Sequence, residues 1–65
     1  MEVNSMEEYL TVEEVAEILK IGKKKAYKLV GQADFPKIKL GHTYRIPKSK
    51  FLDFLEHLTY TYYDI

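Results

Sequence analysis

The chain contains no cysteine, and this absence narrows the classes of protein to which it belongs. Without thiols there is neither a disulfide nor a thiolate zinc site, so hydrophobic packing alone must offset the entropy lost on folding. A chain of 65 residues is expected to form one small domain. We expect a reducing, cytoplasmic setting.

Other absences argue against membrane and enzyme classes. No apolar run approaches the roughly 20 residues that span a bilayer, and the acidic segment Met1 to Glu8 is unlike a signal peptide. We therefore expect a soluble, unprocessed protein with no membrane partner. The chain also lacks a Gly-rich phosphate loop and a metalloenzyme helix motif, while His42 and His57 lie on separate elements. We expect no catalytic residue, no metal, no cofactor and no enzymatic activity.

Net charge is also lacking, because ten basic and ten acidic residues balance. The charges are strongly segregated, however. All ten Lys and Arg lie between residues 20 and 50, where Asp34 is the only acid, so this segment has a formal charge of +9. Residues 1–19 carry six acids and residues 51–65 carry three, with no base in either. This segregation predicts one positive face on a neutral molecule.

Apolar spacing divides the chain into three parts. Residues 1–8 have no periodicity and are expected to be a flexible acidic N-terminus, residues 9–58 form the domain, and residues 59–65 form a Tyr-rich C-terminal tail. We find neither an internal repeat nor a linker.

Two short helices are predicted at the start of the domain. Thr11 and Glu14 match a capping box, which begins a helix that runs to about Leu19. Gly22 is predicted either to adopt a strained dihedral angle or to cap the next helix. That second helix places apolar Ala26, Leu29 and Val30 opposite Lys24 and Lys28. Two helices joined by a turn containing Gly form a helix-turn-helix pattern.

A β-hairpin and a third helix follow. Residues 37–40 and 43–46 alternate polar and apolar residues around Gly41-His42, which suits a type II′ turn. We expect Ile38, Leu40, Tyr44 and Ile46 to face the helices. Pro47 suits the first turn of a helix whose apolar side contains Phe51, Phe54, Leu55 and Leu58. The predicted fold is a small α+β winged helix-turn-helix, ordered helix, helix, β-hairpin, helix.

The candidate functional residues are mostly cationic and fall into two groups. The predicted recognition-helix group comprises Lys23, Lys24, Lys25, Tyr27 and Lys28, and the predicted outward strip of the hairpin comprises Lys37, Lys39, His42, Thr43 and Arg45. Both suit DNA, since lysine reaches phosphates and base edges and arginine enters narrow minor grooves. The alternatives are a solvated helix face and protection of an edge strand, and Tyr27 either contacts a phosphate or covers the edge of the core.

The tail contains Tyr60, Tyr62 and Tyr63, for which three interpretations remain open. It is disordered, packs back on the domain, or docks another protein, since tyrosine is enriched at interfaces.

The run from Tyr9 to Leu58 resembles the excisionase-type DNA-binding domains, a winged-helix branch related to the MerR regulators. Residues 9–16 (YLTVEEVA) are similar to the family's opening helix, residues 26–30 (AYKLV) to its recognition helix, and residues 44–47 (YRIP) to its wing-to-helix junction. Phe35-Pro36 and Leu40-Gly41 match as well. Gly22 stands where the family often has a capping Ser, Lys24 and Lys25 replace small hydroxyl residues, and the tail has no family counterpart.

The resemblance implies a recognition helix in the major groove of double-stranded DNA and a wing against the minor groove. It also implies two tasks. One is that of a recombination directionality factor, which binds repeated sites, bends DNA and helps a tyrosine integrase excise a mobile element. The other is that of a small transcriptional regulator or plasmid-maintenance protein. Because one helix and one wing cover few base pairs, we expect cooperative self-association on tandem sites. A protein-binding adaptor without DNA contact is the alternative of another class.

Overall fold

The computed structural model describes residues 7–65, and within them three helices and three short strands confirm the predicted α+β class. The elements in chain order are β1 (Tyr9–Leu10), α1 (Val12–Leu19), α2 (Lys23–Val30), β2 (Ile38–Leu40), β3 (Thr43–Pro47) and α3 (Lys48–Leu58). Strand β3 lies between β1 and β2 in an antiparallel sheet. This arrangement is consistent with a winged helix-turn-helix domain.

The predicted capping box begins α1. The Thr11 hydroxyl accepts from the backbone N–H of Glu14 at 3.1 Å, and the Glu14 carboxylate accepts from the backbone N–H of Thr11 at 2.9 Å. The helix ends at Lys20, which adopts a left-handed conformation with φ of 59° and donates its backbone N–H to the carbonyls of Ala16 and Glu17. Of the two roles predicted for Gly22, the cap is the observed one. Its φ is −69°, so the unusual backbone angle of this turn falls on Lys20 instead.

The core lies where the three helices meet the sheet. The predicted apolar side of α2 is fully buried, whereas of the residues predicted for α3 only Phe51 is buried and Phe54, Leu55 and Leu58 are partly exposed. The least exposed large side chains are Phe51, Ile46, Val15 and Val30. Phe35, from the loop after α2, is also buried, and its ring lies 5.0 Å from that of Phe54. Burial of Ala26, Leu29 and Val30 fixes the orientation of α2 and leaves its lysines exposed.

The hairpin contradicts one sequence prediction. The turn is the predicted two-residue link, and the positive φ of 63° falls on Gly41 and not on His42, as type II′ geometry requires. Such a turn pairs Leu40 with Thr43 and Ile38 with Arg45. Directly opposed residues share one face of a sheet, so Ile38 and Leu40 cannot lie on the inner face with Tyr44 and Ile46, as we predicted. Both are exposed.

The C-terminal tail packs back on the domain through two of its residues. Tyr63 packs edge-on against Phe54 at 5.7 Å, and its hydroxyl donates to the Asp34 carboxylate at 2.8 Å. Ile65 also lies against the core. Tyr60 and Tyr62 are almost fully exposed. The tail therefore follows the interpretation in which it packs back on the domain, and docking of another protein by the exposed Tyr60 and Tyr62 stays a prediction.

The segment before β1 contacts the start of α3. Residues 1–6 of the predicted flexible N-terminus lie outside the described residues, but Glu7 and Glu8 make defined contacts. Pro47 supplies no side-chain cap to α3, and the Glu7 carboxylate instead accepts from the Ser49 hydroxyl at 2.7 Å and from the Ser49 backbone N–H at 3.2 Å. The Glu8 carbonyl accepts from the backbone N–H of Lys48 at 2.8 Å. Glu7 thus caps a helix about forty positions away in the sequence.

Among residues 7–65, no helix has both the length and the apolar character needed to cross a membrane.

The Glu7 cap predicts a pH-dependent stability. Hydrogen bonds from the Ser49 side chain and backbone, aided by the charge of Lys50, hold the pKa of Glu7 below its usual value of 4.5. A carboxyl group with a lowered pKa stabilises the fold above its unfolded pKa, and this contribution is lost as the pH falls through the folded pKa. We expect Glu7→Gln to lower the urea midpoint at pH 7, and its difference from wild type to shrink below pH 4.5.

Ser49→Ala is the matched variant, because it removes one donor and keeps the carboxylate. It should produce a smaller loss with the same pH trend. A Glu7→Gln effect of equal size at all pH values would show that the carboxylate charge is not involved.

Candidate nucleic-acid interface

The recognition-helix group lies on the exposed side of α2. The side chains of Lys23, Lys24, Lys25 and Lys28 are all exposed, because the opposite side of this two-turn helix is buried. A helix of eight residues is about 12 Å long, comparable to the width of a DNA major groove. The first turn of α2 contains three lysines and no acid, which makes this helix end strongly positive.

Tyr27 joins α2 to α1. Its hydroxyl donates to the Glu13 carboxylate at 3.1 Å, and this hydrogen bond is the main reason that the pKa of Tyr27 is raised. Its ring remains about half exposed. Of the two roles considered for Tyr27, contact with a phosphate would require the hydroxyl to leave Glu13 or to serve both groups.

Glu13 lies between the two predicted cationic groups. Its pKa is lowered first by a hydrogen bond from its own backbone N–H, then by the Tyr27 hydroxyl, and further by the charges of Lys23 and Arg45. Since Lys23 begins α2 and Arg45 lies on β3, both cations are close to the start of α1. Helix α1 packs against both α2 and β3, and its Glu13 carboxylate lies within the electrostatic influence of one cation from each of them.

The hairpin residues that we predicted as one strip lie on two faces. We call β2, the Gly41-His42 turn and β3 the wing. Its outer face contains Thr43 and Arg45, whereas Lys39 lies on the inner face, where its ammonium is 5.9 Å from the centre of the Tyr44 ring. The Lys37 ammonium donates to the Gln32 carbonyl at 2.8 Å and contacts that of Phe35 at 3.5 Å. Lys37 thus stabilises the loop after α2. The prediction that the five residues form one continuous outward strip is wrong.

Arg45 and His42 keep positions suited to a ligand. One terminal nitrogen of Arg45 donates to the Tyr44 carbonyl at 2.8 Å and to the Thr43 hydroxyl at 3.3 Å, which restricts the guanidinium to the outer face. His42 is exposed at the tip of the wing. Arg45 is therefore the cation that β3 presents on the outer face of the wing.

Two features of the site were absent from the sequence prediction. The outer face of the wing contains exposed Ile38 and Leu40, which line one cavity with Arg45 and with exposed Tyr9 of the neighbouring strand β1. The two-residue turn contained the signal for this, because it makes residues 40 and 43 opposite neighbours. Glu13 was also missed as part of the site, and no sequence signal identified it, because its role depends on how α1 packs against α2.

The tail tyrosines predicted to dock a protein are not equivalent. Tyr60 and Tyr62 are exposed, whereas the Tyr63 hydroxyl is held by Asp34. Desolvation and this hydrogen bond raise the pKa of Tyr63. Any docking surface in the tail is therefore formed by the first two.

Comparison with known proteins supplies one match. A family model described as a helix-turn-helix domain matches residues 9–59, which is most of the chain and covers every helix and strand described above. No curated protein and no solved structure matches the chain.

The contact between Tyr27 and Glu13 predicts a measurable coupling. We expect Tyr27→Phe to raise the pKa of Glu13 partway toward 4.5, because the variant removes the hydroxyl donor and leaves the backbone donor in place. NMR titration of the side-chain carboxyl carbons measures this directly. Tyr44→Phe is the control, since its hydroxyl belongs to the other face of the wing. An unchanged Glu13 pKa in Tyr27→Phe would show that the two side chains do not pair in solution.

Proposed function

The chain belongs to the helix-turn-helix domain family, and on this premise we propose that it binds double-stranded DNA sequence-specifically as an excisionase-type directionality factor. The observation that carries DNA binding is the exposed lysine face of α2 together with Arg45 of the wing. The proposed role is one of binding and DNA deformation rather than of catalysis.

In this proposal, α2 enters the major groove and the wing contacts the adjacent minor groove. Lysines in the first turn of α2 reach base edges and phosphates, while Lys28, one turn later, reaches the backbone. Arg45 is the cation on the outer face of the wing and is suited to a narrow minor groove. Lys37 is excluded from this set because its ammonium is bonded to loop carbonyls.

Two properties support the excisionase-type role. One recognition helix and one short wing cover few base pairs, so useful affinity requires tandem sites and contacts between neighbouring copies. Tyr60 and Tyr62 present exposed aromatic surface and suit contact with a tyrosine integrase. The relation to the MerR regulators, stated above as a resemblance, is part of the same proposal. A transcriptional regulator would need the DNA surface but not the integrase contact.

DNA binding is tested by salt dependence. If Lys23, Lys24, Lys28 and Arg45 neutralise phosphates, the logarithm of affinity should fall with the logarithm of salt concentration at a slope of about −3 to −4. We expect the double variant Lys24→Gln and Lys28→Gln to reduce that slope by about two and to weaken binding at every sequence. Fluorescence anisotropy on duplexes selected from a random pool provides the measurement.

Lys50→Gln is the matched control, because Lys50 is exposed on α3 and lies near the negative charge of Glu7. It should leave the slope unchanged. Wild-type binding that is absent or insensitive to salt would refute DNA binding and favour a protein-binding adaptor.

The excisionase-type role is tested by reconstituted excision. With a tyrosine integrase and a plasmid carrying the mobile element on which that integrase acts, we expect the protein to stimulate excision. The double variant Tyr60→Ala and Tyr62→Ala should bind the selected DNA as wild type does and lose most of the stimulation. Binding to a promoter with no effect on excision would instead identify a transcriptional regulator.

A further inference from the structure

The outer face of the wing exposes apolar side chains that take no part in the hydrophobic core. Tyr9, Ile38 and Leu40 surround Arg45 and line a shallow cavity of about 340 Å³. Leu40, at 55 % exposure, is the more exposed of the two apolar side chains of β2 and directly precedes the Gly41-His42 turn. In the part of the chain that the structure describes, no element covers this face. Clustered apolar exposure of this kind marks an interaction surface.

This face belongs to the wing, which is the second element of the DNA surface proposed above. Arg45 lines the same cavity as Tyr9, Ile38 and Leu40, and the paired residues Ile38 and Arg45 lie directly opposite each other on this face. A ligand that contacts this face of the wing therefore meets a cation and its apolar neighbours together. The combination of one guanidinium and flanking aliphatic side chains suits a minor groove, whose floor is electronegative and whose walls are apolar deoxyribose faces.

We propose that the outer face of the wing enters the minor groove and that Leu40 acts as a wedge that unstacks one base step and bends the duplex. The inference rests on the proposed function and deepens it, because it assigns DNA deformation to an apolar side chain. Arg45 holds the strand backbones by charge while Leu40 and Ile38 contact the opened step. The favoured sites are those with a flexible pyrimidine–purine step under the wing.

The surface fits DNA better than a second copy of the chain. Three half-exposed side chains fall well short of the roughly 800 Å² that each partner buries in a standard protein interface. The Arg45 guanidinium in this patch also suits a polyanion, because its planar donors match phosphate oxygens.

The test combines base unstacking with DNA bending. Duplexes selected by the wild-type protein are labelled with 2-aminopurine at successive positions under the wing, whose position is first mapped by hydroxyl-radical footprinting. We expect wild type to raise the fluorescence at one step several-fold and to shorten the end-to-end distance measured by energy transfer. Leu40→Ser should lose most of both signals and bind about fivefold more weakly, with an unchanged salt slope.

Two further variants make the comparison specific. Leu52→Ser is the matched control, because Leu52 is exposed to a similar extent, at 51 %, on α3. It should behave as wild type. Leu40→Met retains an apolar side chain and should restore the fluorescence signal. Leu40→Thr keeps strand propensity and replaces Leu40→Ser if the serine variant fails to fold, as judged by circular dichroism.

Three outcomes would overturn the wedge. The first is salt-dependent binding by wild type without unstacking at any step, and the second is a bend that Leu40→Ser retains; both leave the proposed function standing. In the third, Leu40→Ser binds a single site normally but loses cooperativity on two sites, which would assign the face to a second copy. Wild-type protein that binds no DNA would refute the proposed function and the wedge together.

Discussion

Pairing of β3 on both of its edges holds this small domain together. Through Ile46, which is fully buried, β3 joins β1 at Leu10, and its next residues lead directly into α3. A chain this short has little apolar area to bury, so each long-range contact contributes to several elements at once. Glu7 provides another such contact, because its carboxylate caps α3, to which Pro47 gives no side-chain cap. The N-terminal edge of the sheet and the start of α3 are therefore stabilised together.

The register of the wing follows from its turn and decides which side chains face outward. Positive φ at Gly41 permits a two-residue link, and that link pairs Leu40 with Thr43. The outer face consequently mixes Arg45 with aliphatic residues, while Lys39 lies on the inner face beside Tyr44. A wing built this way has fewer free cations toward DNA than a count of its lysines suggests. In the proposed function, its contribution to recognition depends on shape and apolar contact as well as on charge.

Charge on the proposed binding side is balanced rather than maximal. Glu13 holds the Tyr27 hydroxyl at 3.1 Å and lies near Lys23 and Arg45, so a carboxylate is built into the junction of α2 and the wing. Its charge reduces the attraction for phosphates at that point, since like charges repel most strongly at short range. The overall neutrality of the chain has the same effect on a larger scale, because long-range attraction to nonspecific DNA scales with net positive charge. In the proposed function, recognition therefore depends on the local lysine face of α2.

Local patterns in the sequence alone determined the helices, the N-terminal caps of α1 and α2, the hairpin turn and the lysine face of α2. These features depend on neighbours within four residues, such as Thr11 with Glu14 or Ala26 with Leu29 and Val30. Tertiary structure alone decided the rest. It placed the unusual backbone angle on Lys20, engaged Lys37 with loop carbonyls, packed Tyr63 against Phe54 and brought Glu13 between Lys23 and Arg45. Each of these features depends on side chains that are distant in the sequence or on the closure of a whole turn. Neither hydrophobic periodicity nor residue propensity predicts such contacts. The faces of the wing could have been predicted from the sequence but were not. The two-residue turn implies that Leu40 pairs with Thr43, whereas the alternation of apolar residues suggested that Leu40 and Tyr44 share a face.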